Sequence, residues 1–332
     1  MTVEKLRVAV IGLGKMGLVH SCVLNVLPNV QIVAICERSG LIRRFSKKLF
    51  KGVQIVDDAH KLAGFNLDAA YVTTPIPSHF AVAEALYSNK IVRNVFVEKT
   101  LAQNSEQAVK LVEMAGKSGG VNMVGYLRRF YVTFQKAKDL LSNGAIGVLS
   151  SFEAYAYSAD FCGAKEASQM LASRGGILRD LGCYAIDLSL WFFGELDVSG
   201  EETSPGHYRQ KGSIKFEMKS ANGLAGHLEV SPYMPDYRMP EVGFLIKGTD
   251  GEIAVNDDRV ELRPAKEKPS VWYRHDLNDN VPFCLGLPEY YREDSLFIDS
   301  VINRHQSEPD FRSAAKVDRL ICQVEQRGGE DG

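Results

Sequence analysis

The stretch Leu6-Arg7-Val8-Ala9-Val10-Ile11-Gly12-Leu13-Gly14-Lys15-Met16-Gly17 decides the fold. Leu6 to Ile11 are mostly β-branched or aliphatic with little alternation, as in a central parallel strand buried on both faces. The glycines follow at once in GxGxxG spacing and open onto a helical segment from about Leu18 to Leu27. Gly12 would allow the tight turn, Gly14 would let a pyrophosphate approach the backbone, and Gly17 would let helix and strand pack closely. N–H groups around Leu13, Lys15 and Met16, unpaired at the helix start, would then face the phosphates.

A second strand, Gln31 to Cys36, ends in Glu37-Arg38-Ser39. An acid about 20 residues after the glycine motif can accept hydrogen bonds from the adenosine ribose and repels a 2′-phosphate, which favours NAD over NADP. Arg38 keeps NADP open, because a guanidinium there can pair with that phosphate or stack on adenine. The rhythm continues with strands at Asp68–Thr74, Val92–Lys99 and Asn122–Tyr126 and helices at Phe80–Asn89 and Ser105–Gly116. Strands alternating with helices predict a doubly wound parallel sheet, here a first domain of residues 1–125. Ligands bind at the C-terminal ends of such strands. Thr73, Thr74 and Pro75 would line the cofactor channel there, and Glu98 and Lys99 place a carboxylate beside an ammonium at the end of another strand. His79 either caps and packs its helix or faces the cofactor.

From residue 126 to 332 the pattern changes. After a helix to about Asn143, strands are predicted at Val148–Tyr157, Ser213–Lys219, Leu224–Val230, Gly243–Gly248, Glu252–Val255 and Val260–Arg263. Ala221-Asn222-Gly223 and Thr249-Asp250-Gly251 read as hairpin turns. The expectation is an α/β domain with an open, largely antiparallel sheet, helices on one face, and a second face that, if apolar, would suit dimerisation or tetramerisation. A last helix, about Asp310–Gln326, is expected at the periphery, with Arg327–Gly332 as a frayed tail. Within this half, Gly175-Gly176 precede a segment apolar nearly all round, through Leu188, Leu190, Trp191, Phe192 and Phe193. Asp180, Tyr184 and Asp187 lie on one face if it is an α-helix, and buried carboxylates need partners. Asp180 as a helix cap and Tyr184 as an amphipathic core residue stand beside a catalytic role for both.

Composition narrows the classes. The 332 residues are 45% hydrophobic and 24% charged with a formal net charge of -2, and no long basic run marks a nucleic-acid or anionic-membrane partner. No apolar stretch approaches the roughly 20 residues that span a bilayer. The N-terminus runs straight into a strand, and Cys22, Cys36, Cys162, Cys183, Cys284 and Cys322 have no CxxC spacing, so reduced thiols in a cytoplasmic protein are expected. No His/Cys/Asp/Glu cluster has metal-ligand spacing, so no metal is expected.

The glycine motif, Glu37, Thr73-Thr74-Pro75, Val97-Glu98-Lys99, Gly125-Tyr126-Leu127-Arg128-Arg129-Phe130, Gly175 to Asp187 and Phe244 to Gly251 occur in the order and spacing of the Gfo/Idh/MocA oxidoreductases, which the chain resembles over essentially its whole length. The resemblance implies a Rossmann domain, an α/β domain with an open sheet, and NAD(P)-dependent redox chemistry at a secondary alcohol of a sugar, cyclitol or related diol. It maps the family's catalytic set onto Lys99, Asp180 and Tyr184, with Arg128 as a further substrate-binding candidate and Arg129 beside it. Thr100 stands where the family usually has proline after the lysine. Tyr184 replaces the common histidine, as in the branch resembling glucose-fructose oxidoreductase and dimeric dihydrodiol dehydrogenase, and a neighbouring ammonium would favour its phenolate. An NAD-dependent glycosidase and a non-catalytic sensor are the alternatives in the same family.

Overall fold

A computed structural model of the chain describes residues 5–164, 167–199, 213–277 and 288–327. The expected tail from 328 onward and Cys284 lie outside the described residues. The chain clusters into two compact units, Met1–Tyr126 with Val281–Asp318, and Leu127–Asn280 with Arg319–Gly332. A single boundary near residue 125 therefore omits the return of the chain to the first unit.

The first unit alternates as the sequence implies: β1 (Leu6–Ile11), α1 (Lys15–Val26), β2 (Val30–Cys36), α2 (Gly40–Leu49), β3 (Gln54–Val56), β4 (Ala69–Val72), α3 (His79–Ser88), β5 (Asn94–Glu98), α4 (Ser105–Ser118) and β6 (Asn122–Gly125). The strands form one parallel sheet in the order β3-β2-β1-β4-β5-β6. Strand order reverses between β1 and β4, which opens a crevice at their C-terminal ends. Every residue of β4 and β5 is buried, the reason both read as continuous apolar runs up to Asn94 and Glu98. α2 and β3 escaped the sequence reading. In α2, Leu41, Phe45 and Leu49 are exposed and Ile42 is only half-buried, so they mark no core face, and β3 is only 3 residues long.

The second unit begins with α5 (Val132–Ser142) and β7 (Leu149–Tyr157), then α6 (Ala167–Ser173), a single π turn (Leu178–Gly182) and α7 (Cys183–Phe193). β8 (Asp197–Ser199), β9 (Ile214–Lys219), β10 (Ala225–Ser231), β11 (Glu241–Gly248), β12 (Gly251–Asn256), β13 (Arg259–Pro264) and β14 (Ser270–Tyr273) complete an 8-stranded sheet. Both hairpins form as expected, β9–β10 and β11–β12. The one parallel pairing among the described strands of this sheet, β7 with β10, sits mid-sheet. On the inner face Phe152 stacks on Phe193 at 4.4 Å and Phe244 meets Phe192 edge-on at 5.3 Å, so α7 covers the sheet with aromatic side chains.

The outer face is not apolar. It carries cross-strand ion pairs, Lys247–Glu153 at 2.9 Å, Lys215–Glu229 at 3.2 Å and Arg263–Glu252 at 2.7 Å, around Tyr155 and Tyr157 stacked at 4.7 Å. A shallow cavity of about 880 Å³ lies over it.

Two last helices follow, α8 (Pro288–Asn303) and α9 (Phe311–Arg327). α8 was absent from the sequence reading and belongs to the first unit. α9 is amphipathic: Phe311, Ala314, Val317, Leu320, Ile321 and Val324 are all buried along one stripe, while Arg312 and Glu325 are exposed.

Candidate active site

In the first unit the glycine turn has the geometry its spacing implies. Gly12 has φ +91°, and a Cβ there would lie 2.9 Å from the backbone of Thr74. A Cβ on Gly17 would sit 2.0 Å from the carbonyl oxygen of Gly12, so helix and strand approach more closely than any side chain allows. Gly14, by contrast, faces open space within 4 Å and is the N-cap of α1 with no side chain to satisfy the first N–H groups. Those donors and the helix dipole leave a cradle for an anion at Lys15 and Met16.

The flanking residues are held ready. Thr73 Oγ1 donates to the carbonyl of Gly12 at 2.6 Å, tying β4 to the turn. The buried Oγ1 of Thr74 has no hydrogen-bond partner among the described residues and adjoins the same turn. Glu37 accepts from Leu13 N at 2.8 Å through Oε2 and from Ser39 N at 2.7 Å through Oε1, which fixes its carboxylate at the end of β2. Arg38 is exposed beside it, and Pro75 opens the exposed lip of the β4 loop. The open space beside Gly14, the Thr74 hydroxyl and an oriented acid fit a dinucleotide.

His79 does not face this cleft. It is fully buried, with Nδ1 2.7 Å from the carbonyl of Thr100 and Nε2 2.7 Å from the carbonyl of Thr74. Burial pushes its pKa below the usual value, while the two carbonyls, which can only accept, work in the other direction and favour an N–H on each ring nitrogen. Its two nitrogens meet the loops that follow β4 and β5.

At the end of β5 Glu98 turns inward and Lys99 is half-buried. Glu98 Oε2 accepts from the Lys99 backbone N–H at 2.9 Å, and Oε1 accepts from His20 Nε2 at 3.0 Å. His20 Nδ1 donates to Asp294 Oδ1 at 2.8 Å. Burial opposes a charge on His20, but Asp294 and Glu98 outweigh it and hold its pKa well above the usual value. Burial likewise pushes Glu98 up, yet His20 and Lys99 outweigh it and keep it ionised, below the usual range. His20 and Asp294 were missed in the sequence. The available signal was the buried-helix spacing Glu289, Glu293, Phe297, Val301 of α8, which carries two acids on its apolar side.

The fold also gathers His20, Glu293 and Asp294 with ligand atoms within 4.8 Å of one another, a grouping that sequence spacing does not reveal.

In the second unit Asp180 lies in the π turn and Tyr184 begins α7. The extra residue of the π turn breaks the expected common face. Asp180 pairs with Arg174 at 3.1 Å, is partly exposed, and lies inside the π turn, while the N-cap of α7 is Gly182. Asp187 is buried and forms a two-pronged pair with Arg129 at 2.6 and 2.8 Å. Tyr184 is half-buried under Arg128, whose guanidinium carbon is 4.5 Å from the ring centroid. Arg128 is itself held by Asp257 at 2.9 and 3.1 Å and by the carbonyl of Pro240 at 2.8 Å. Both arginines are thus in buried salt bridges.

Comparison with known proteins agrees with this geometry. Residues 6–126 match the family described as "Oxidoreductase family, NAD-binding Rossmann fold", and residues 134–254 match the "GFO/IDH/MocA C-terminal domain". Among curated relatives, myo-inositol 2-dehydrogenase of Thermotoga maritima is 28% identical over 57% of this chain and 55% of its own length. The scyllo-inositol 2-dehydrogenase (NAD(+)) of Bacillus subtilis is 25% identical over 76% of this chain and 74% of its own. A solved levoglucosan dehydrogenase in complex with NADH and levoglucosan superposes with a TM-score of 0.82 at 19% identity, over 99% of this chain and 98% of that one, a likeness of fold. With both halves matched in order on an NAD-binding Rossmann sheet and its companion domain, the chain belongs to the Gfo/Idh/MocA family of oxidoreductases.

Proposed function

We propose that the protein is an NAD-dependent oxidoreductase that moves a hydride between the nicotinamide and a secondary alcohol or ketone of a sugar, cyclitol or related diol. The observation that carries this reading is Lys99, a lysine at the C-terminal end of β5 on a dinucleotide-type sheet, with its backbone N–H held by Glu98. The inositol dehydrogenases among the relatives support the substrate class.

Lys15 and Met16 at the start of α1 would hold the pyrophosphate, Glu37 the ribose, and Thr74 and Pro75 the path toward the nicotinamide. Bound NAD supplies the hydride acceptor. Tyr184 would take the hydroxyl proton of the substrate at its phenolic oxygen and return it to the carbonyl oxygen in reduction. Lys99 would orient the same hydroxyl and stabilise developing negative charge on its oxygen. The Arg128 guanidinium over the Tyr184 ring favours the phenolate, and Arg128 and Asp180 would bind further substrate hydroxyls. NADP stays open through Arg38.

The outer face of the 8-stranded sheet is the surface on which we place a homodimer or homotetramer, because its charges are already paired within the sheet and its tyrosines are exposed enough to pack. Light scattering of the wild type and of Tyr155→Arg tests this, and an unchanged mass removes the sheet as the interface. Cys22, Cys36, Cys162 and Cys322 are free thiols, which fits a reducing, cytoplasmic setting.

Nicotinamide absorbance with purified protein, NAD or NADP and a panel of aldoses, cyclitols and vicinal diols tests the main reading, beside Lys99→Met and Tyr184→Phe. Turnover lost in both variants supports it. Cofactor binding without net NADH and with glycoside cleavage would mean the glycosidase, and binding without any chemistry the sensor.

A further inference from the structure

We propose that Lys99 is positioned from both sides by two buried histidines, His20 acting through Glu98 and His79 acting through the carbonyl of Thr100. The proposal deepens the reading of Lys99 as a catalytic residue and rests on it.

Sheet pairing ends just before Lys99: the last partnered residue of β5 is Glu98, opposite Gly125. Beyond it the chain needs other restraints, because a lysine side chain with four methylenes delivers its ammonium only as precisely as its own Cα is held. On the N-terminal side, Glu98 joins the Lys99 N–H at 2.9 Å to His20 at 3.0 Å, and Asp294 anchors the far nitrogen of His20 at 2.8 Å. His20 and Asp294 are fully buried and Glu98 is 7% exposed, so no solvent competes for these bonds. On the C-terminal side, the His79 ring lies between the carbonyls of Thr100 and Thr74, each at 2.7 Å. It thereby ties the segment after Lys99 to the loop after β4. Thr100 is fully buried, and its hydroxyl donates to the carbonyl of Ala102 at 3.2 Å, a local restraint where relatives would use proline.

The triplet thus reads buried, half-buried, buried, with Glu98 and Thr100 each held by a ring rooted on a different helix, α1 and α3. Neither histidine needs to touch the substrate. Both are positioning residues, and the half-buried residue between them is Lys99.

The test uses the full chain with four variants, His20→Ala, His79→Ala, His79→Gln and Lys99→Met. Amide hydrogen exchange is read by mass spectrometry on peptides covering residues 96–102, which needs no substrate. In each alanine variant exchange at this segment should quicken by about tenfold, while exchange in β1 and β2 stays as in the wild type. In turnover, kcat should fall by about a hundredfold, the effect of a misplacement of roughly 1 Å. NADH affinity by fluorescence should stay within about threefold, and KM should change less than kcat. His79→Gln, whose side-chain amide offers two N–H donors from one nitrogen, should recover at least about tenfold of the lost kcat. Unchanged exchange at 96–102, kcat within about threefold of wild type, or loss spread equally over the whole sheet overturns the proposal. Full turnover in Lys99→Met would instead sink the reading of Lys99 itself, whatever the histidine variants do.

Discussion

The guanidinium of Arg128 lies 4.5 Å from the centre of the Tyr184 ring while its Nη2 and Nε donate to Asp257. One side chain therefore couples a buried ion pair to the proposed acid/base. Burial works against the charge on Arg128, but Asp257 outweighs it, so the cation persists over the ring at every accessible pH.

Removing that cation separates the two roles. Arg128→Met leaves Asp257 buried without its partner and should destabilise the protein by about 3 kcal/mol, since breaking a buried pair costs more than it gains in packing. Without the neighbouring charge the phenolate is less favoured, so the limb on which alcohol oxidation rises with pH should move to higher pH. Activity near neutrality should fall by about tenfold for each unit of that move. Thermal unfolding and a pH–rate profile check the two effects. A stability loss with an unmoved pH limb would show that Arg128 only braces the fold.

His20 makes a prediction about stability in the first unit. Its folded pKa is raised well above the unfolded value of about 6.5, with Asp294 and Glu98 bonded to it and Glu293 and the Tyr71 phenol nearby. A raised pKa means that the stabilisation is fully present below about pH 6.5 and declines as pH rises toward the folded value, by about 1.4 kcal/mol per pH unit for one proton. The difference in unfolding free energy between wild type and His20→Gln should therefore shrink between pH 6.5 and 9. A difference independent of pH over that window would mean that the ring is neutral in the folded protein.

The contrast between these two sites shows where a sequence is legible. The parallel sheet and its glycine turn rest on neighbours in the chain: apolar runs, glycine spacing, an acid at the next strand end. Asp294 meets His20 across 274 residues, and the acids on the apolar side of α8, which carries it, do not show in its own sequence what they face. No local pattern announces that partnership. The π turn before Tyr184 is a different case, because one extra residue in a helix leaves no mark in composition yet moves Asp180 and Asp187 into separate surroundings. The outer sheet face, by contrast, follows from neighbours in the chain. Glu153, Tyr155 and Tyr157 alternate against Phe152, Ala154 and Ala156, and that alternation already described a polar and aromatic surface.

Gly14 and Gly17 predict opposite outcomes for the same substitution. A methyl group at Gly14 meets nothing within 4 Å, so Gly14→Ala should fold with a stability loss of no more than about 1 kcal/mol, the scale of an N-cap change. It occupies the space a pyrophosphate would use, and NADH affinity should drop at least about tenfold. At Gly17 the methyl would overlap the carbonyl of Gly12, so Gly17→Ala should lower the melting temperature before any binding is measured. Calorimetry with and without NADH separates the pair. NADH bound equally well by Gly14→Ala would place the phosphates elsewhere.

Glu37 should decide between the two nicotinamide cofactors. Its carboxylate is fixed by the N–H groups of Leu13 and Ser39 at 2.8 and 2.7 Å, so it cannot swing aside to admit a 2′-phosphate. Each oxygen still has a lone pair for a ribose hydroxyl. Glu37→Ser removes the negative charge and leaves Arg38 exposed next to the same position, with Arg43 donating to the Glu37 carbonyl at 2.9 Å. Guanidinium groups suit a phosphate dianion. The ratio of kcat/KM for NAD over NADP should therefore fall by about a hundredfold, a change of about 2.7 kcal/mol in transition-state stabilisation. Most of the change should appear in KM for the cofactor, because the ribose is remote from the reacting carbon. A ratio that stays put, with both cofactors weakened alike, would mean that Glu37 serves only to hold the glycine turn.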